Sequence, residues 1–133
     1  MSAPAPESFV WRVALDFLTE AELVPAASVP RMAIHAAYYA MFHGARAVLL
    51  KLDGLNAPTK RSAVVGRFGY HAKVAGDALL MAAGRSLNDA QDDRITSDYG
   101  SGTGPQPFDA VAAVGSARIF LEVCARVHGF VAP

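Results

Sequence analysis

Two groups of side chains in this sequence are of types and spacings that could do chemistry. The first lies within Arg31 to Leu52 (RMAIHAAYYAMFHGARAVLLKL), where Arg31, His35, Tyr39, Phe42, His43 and Arg46 recur at helical spacing along one side. A surface helix usually carries Glu and Lys on its polar face. Here that face is made of imidazoles, aromatic rings and guanidiniums, a mixture that suits an anion or a nucleotide. The second group is Arg94-Ile-Thr-Ser-Asp98-Tyr99. An arginine can clamp a phosphate through two parallel N–H groups, Tyr99 offers a stacking face and a hydroxyl, and Asp98 lies one helical turn on, where it can orient Arg94. Both groups also admit a structural reading. The first can be a half-buried face whose polar tips reach water or another subunit, and Arg94–Asp98 can be an ion pair fastening a helix end.

The elements that must position these residues read as helices. Arg31 to Leu52 is free of proline and rich in alanine, the best helix former, and spans about six turns at ~3.6 residues each. Ala33, Ala36, Ala37, Ala40, Gly44 and Ala47 form a small-residue side that lets a neighbouring helix come close, and Ile34, Met41 and Val48 form a core seam. Pro6 and Glu7 open an earlier helix reaching Leu23, with Val10, Val13, Ala14, Phe17 and Ala21 as its buried stripe and Trp11, Leu15 and Leu18 beside it. Ser28 is the expected cap of the central helix and Asp53-Gly54 its stop. Beyond it, Thr59 is the expected cap of a helix over 60–72, Asp77 the cap of one over 78–97, and a last helix covers 108–128. Tyr99 to Pro107 (YGSGTGPQP) is glycine-rich but lacks the Gly-Lys-Ser/Thr ending of a phosphate-cradling loop, so it reads as a connector. No stretch alternates as a strand. The expected fold is all-α: an antiparallel four-helix bundle whose third helix is split, over residues 7–128, with a flexible tail at 1–6 and a tail at 129–133.

Composition narrows the function. At 133 residues the chain suits one domain with a core of its own, 53% of it is hydrophobic, and 12 basic residues balance 12 acidic ones. The balance removes the electrostatic drive for non-specific nucleic-acid binding but leaves room for a local basic patch. Cys124 alone gives no internal disulfide, sits in an apolar helical pattern and is expected in the core. His35 and His43 are eight residues apart with no second ligand pair at metal spacing, so no metal and no cofactor is expected. No signal-peptide pattern and no apolar run near ~20 residues occurs, which gives the expectation of a cytoplasmic protein outside the membrane.

The run Ala37-Tyr38-Tyr39-Ala40-Met41-Phe42-His43-Gly44-Ala45-Arg46-Ala47 resembles the signature helix of HEPN-domain proteins, in particular a small bacterial branch with an Ala-Tyr-Tyr-Ala-Met-Phe-His motif. Phe68-Gly69-Tyr70-His71 is similar to the Phe-Gly-x-His of that branch, and Arg94 to Tyr99 to its Arg-x-x-x-Asp-Tyr. The resemblance implies a HEPN-like bundle paired as a homodimer, a minimal nucleotidyltransferase as partner in a toxin–antitoxin-type system, and nucleotide or RNA as ligand. Many HEPN proteins cleave RNA without a metal through Arg-x(4–6)-His. No arginine here has a histidine at that distance: Arg94 has Tyr99 instead, and Arg31 and Arg67 each have a histidine four residues on. A tyrosine with a pKa near 10 is a poor base at neutral pH. The expectation is therefore a non-catalytic binding module with Tyr39, His43, Arg46, Arg94, Asp98 and Tyr99 as the contact set. The alternatives are a ribonuclease with a degenerate site, using Arg94 with His43 or His71, and a purely structural dimerising bundle.

Overall fold

The computed structural model describes residues 5–99 and 104–133, and side chains within that range apart from those of 93–99. Among the described residues there are five α-helices and no strand: α1 (Pro6–Leu23), α2 (Pro30–Asp53), α3 (Arg61–Ala75), α4 (Ala78–Tyr99) and α5 (Pro107–His128), with a 3-10 turn, Gly54–Asn56, after α2. The all-helical class expected from the sequence is what is found, and no helix among the described residues is long and apolar enough to cross a membrane.

Helix ends follow local chemistry, with two corrections. Ser28 does not cap α2. The cap is Val29, without a side-chain bond, because Ser28 and Val29 are folded into a turn on the Pro25 carbonyl and Pro30 at the first position has no N–H to satisfy. Thr59 does not cap α3 either; Lys60 occupies that place. Asp77 does cap α4, its carboxylate accepting the Leu80 N–H at 2.9 Å. The break between α3 and α4 falls at Gly76, which takes the left-handed conformation at φ +68°. It reverses the chain, so that Phe68 and Gly69 of α3 lie beside Gly84 of α4.

α2 is the axis of the molecule. All six small residues of its expected packing side are buried, as are Ile34, Met41 and Val48. α5 approaches it closely at Gly44, where a Cβ would stand 2.4 Å from the Leu121 side chain. The stripe of α1 is rotated from the expected one: Trp11, Ala14, Leu18 and Ala21 are buried, while Val10, Val13 and Phe17 are not fully covered. Trp11 takes the inner position because its large ring packs beside Gly44 and stacks on Phe130 at 4.5 Å. Cys124 is fully buried, and burial pushes its thiol pKa far up, as a core residue requires.

Around α2 the order is α1, α5, α4, α3. Each neighbouring pair in that series packs together, but α1 and α3 do not meet. One side of α2 is therefore left partly uncovered, between α1 and α3. Direction follows from contacts. Arg61 at the start of α3 reaches Tyr39 and His71 near its end reaches Asp53, so α3 runs the same way as α2. α5 does too, with Ala110 against Ala33 and Ile34 at one end and Lys51 donating to the His128 carbonyl at the other. α1 and α4 run opposite.

A groove on the central helix

The side of α2 left open carries its chemistry-bearing stripe: Tyr39, His43, Arg46, Leu50 and Asp53 recur at three- and four-residue steps and are all half-buried. α1 contributes Phe17 as one wall. The His43 ring lies parallel to it, with centroids 5.4 Å apart and 6° between planes, and Tyr39 is 5.6 Å from the same phenyl ring. α3 contributes Arg61 as the other wall, donating to the Tyr39 hydroxyl at 3.0 Å with its guanidinium 5.7 Å from the ring centre.

Electrostatics at this end favour a neutral imidazole. Burial against Phe17 disfavours the charged ring, and the Arg46 guanidinium repels it, so His43 sits below the ordinary histidine range. Its Nδ1 is sealed from solvent without a hydrogen-bond partner among the described residues. Arg46 itself has no hydrogen-bond or ion-pair partner among the described residues, which leaves a cation facing the groove for an anion to meet.

About 15 Å further along α2, ten residues at 1.5 Å each, a second cluster closes the groove. Asp53 accepts two parallel N–H bonds from Arg67, each 3.0 Å, and a third from His71 Nε2 at 2.9 Å. These donors hold its carboxyl down at about 2, the Arg67 bonds contributing most. The Asp53 side chain is only 8% exposed and that of His71 18%, whereas Arg67 is 43% exposed and lies 4.6 Å over the Tyr70 ring. A carboxylate that takes the Nε2 proton of a histidine fixes the tautomer and leaves Nδ1 as the acceptor.

The expected contact set divides accordingly. Tyr39, His43 and Arg46 are brought together on the groove floor. The side chains of Arg94, Asp98 and Tyr99 lie outside the described residues, as do residues 100–103 of the glycine-rich connector. Gly104 lies next to the Arg31 guanidinium at the start of α2. Sequence reasoning misses three groove residues: Arg61, Arg67 and Asp53. Arg67 and His71 carry a signal in their i, i+4 spacing, which puts both on one helix face. Asp53 reads only as half of an Asp-Gly turn until α3 is folded against it.

Comparison with protein families gives one result: the model of the HEPN domain matches residues 8–127. No curated protein matches the chain.

Proposed function

The chain belongs to the HEPN-domain family, a nucleotide- or RNA-related module, and from that premise we propose that the α2 groove binds a nucleotide or an RNA strand without cutting it. One observation carries the reading. A gap between α1 and α3 leaves the Tyr39 phenol, the neutral His43 imidazole and the Arg46 guanidinium, the last with no hydrogen-bond or ion-pair partner among the described residues, side by side on α2, with Arg61 on the opposite wall. Aromatic faces stack on bases whatever their identity, and the two arginines supply phosphate contacts. Arg94, Asp98 and Tyr99 extend the contact set from α4. The chain acts as a homodimer and as the partner of a minimal nucleotidyltransferase in a toxin–antitoxin-type pair. The test is a polarisation titration with a fluorescent oligouridine and with labelled ATP. Arg46→Ala and Arg61→Ala each weaken binding about tenfold, the loss expected for one charge-assisted phosphate contact, and the affinity falls with added salt. Full affinity in the double variant overturns the proposal.

A second reading, ribonuclease activity, is favoured by the Asp53–His71 pair, in which a carboxylate-held imidazole has the form of a general base. Against it, the neighbouring Arg67 spends its Nε–H and one Nη2–H on Asp53, so part of its guanidinium is engaged before any phosphate arrives. Cleavage of RNA by the wild-type protein, lost in His71→Ala, would establish the enzyme; intact RNA after prolonged incubation leaves the binding module.

A further inference from the structure

The end of α5 continues into a segment that packs back on the bundle. After His128, Gly129 turns the chain in the left-handed conformation at φ +75° and sends it back across the base of the bundle. Phe130 then stacks on Trp11 at 4.5 Å with 13° between the rings, and the Trp11 indole N–H donates to the Val131 carbonyl at 2.8 Å. Lys51 of α2 secures the turn: its ammonium donates to the His128 carbonyl and lies 5.1 Å from the centre of the Phe130 ring. Phe130 is half-buried and packs on the edge of the core, while Val131 is exposed.

The residue at the pivot is His128. Its Nε2 is sealed from solvent and has no hydrogen-bond partner among the described residues. Besides its burial, Lys51 and His71 disfavour a positive charge on it. α2 presents Lys51 and Asp53, α3 presents Arg67 and His71, and α5 itself carries Arg126, paired with Asp77 ahead of α4 at 3.3 Å. Both carboxylates are already engaged, Asp53 by three donors and Asp77 by Arg126 and the Leu80 N–H. The protonated form of His128, whichever nitrogen takes the proton, thus holds an N–H at the sealed Nε2 without an acceptor and a charge without a free counter-ion. It would also set that charge against Lys51, the side chain that grips the same residue's carbonyl. The lowest-cost relief is for the segment after His128, which lies outside the helix, to lift off Trp11 and let water reach the ring while α5 stays intact.

We propose that the residues after His128 form a proton-released strap, held across Trp11 while the His128 imidazole is neutral and let go when it is protonated. Burial first, then Lys51 and His71, keep this histidine below its ordinary range, so the strap is closed at neutral pH and opens below 6.5. Trp11 is the one tryptophan of the chain, which makes the strap visible by fluorescence. Emission and helical circular dichroism are recorded between pH 8 and 5 for the wild type, for His128→Gln, which cannot take the proton, and for Phe130→Ala at pH 8 as the open reference. The wild type shifts to the emission of Phe130→Ala as the pH falls below 6.5, with its helix signal unchanged, and His128→Gln does not shift. An identical acid shift in His128→Gln, a shift that coincides with loss of helix signal, or no shift down to pH 5 would each overturn the proposal.

Discussion

His43 illustrates how one side chain's protonation is set by what surrounds it. The ring is stacked on Phe17 and faces Arg46, so the fold favours its neutral form. A histidine held below its unfolded value contributes stability that is complete above about pH 6.5 and is lost as the pH falls through the folded value. In urea unfolding followed at pH 7.5 and 5.5, the wild type should lose more stability over that interval than His43→Gln; equal losses would show that the ring is not held neutral. Asp53 works at a lower pH. Its carboxyl falls from 3.8 to about 2 in the folded chain, so its contribution is intact above 3.8 and disappears as the pH drops through about 2. Asp53→Asn should lower stability at pH 7 by on the order of 1 kcal/mol, since the partly exposed Arg67 can turn to water. It should also flatten the stability profile of the wild type between pH 4 and 2.

At the level of elements, glycine separates a helix side that must be approached from one that is free. Gly44 faces α5, where a methyl group would meet Leu121 at 2.4 Å, Phe120 at 3.4 Å and Trp11 at 3.6 Å. Overpacking of this kind costs about 1–3 kcal/mol, and Gly44→Ala should lower the urea midpoint accordingly. Gly66 sits in the interior of α3, and a Cβ there would meet nothing within 4 Å, so Gly66→Ala should stabilise by about 1 kcal/mol, the helix-propensity difference alone. The existence of the helices is legible in the sequence, because α1, α2 and α5 carry long apolar patterns that no other element satisfies. Cap identity is not. Ser28 and Thr59 are good caps by residue type, yet the turn on Pro25 and the missing N–H of Pro30 settle the first, and the chain enters α3 one residue later than Thr59 allows. The rotation of the α1 stripe likewise depends on Trp11 having Phe130 to stack on, 119 positions away in the chain.

For the molecule as a whole, the arrangement of α1, α5, α4 and α3 around α2 leaves a single side of the central helix partly open, and that side is the one with the imidazoles and guanidiniums. If the chain acts as the proposed homodimer, light scattering coupled to size exclusion should give twice the 14.0 kDa chain mass at micromolar concentration; a monomer at all concentrations would remove the dimer from the proposal. By itself the sequence determined the helical class, the central place of Arg31 to Leu52, the burial of Cys124 and the family resemblance, because periodicity and local motifs are properties of neighbouring residues. Only the tertiary structure decided that Asp53 collects Arg67 and His71, that Arg61 crosses to Tyr39, and that the segment after His128 lies on Trp11. Those pairings join residues 14 to 120 positions apart, and no local pattern encodes which distant side chain a folded chain will bring to a given carboxylate or ring.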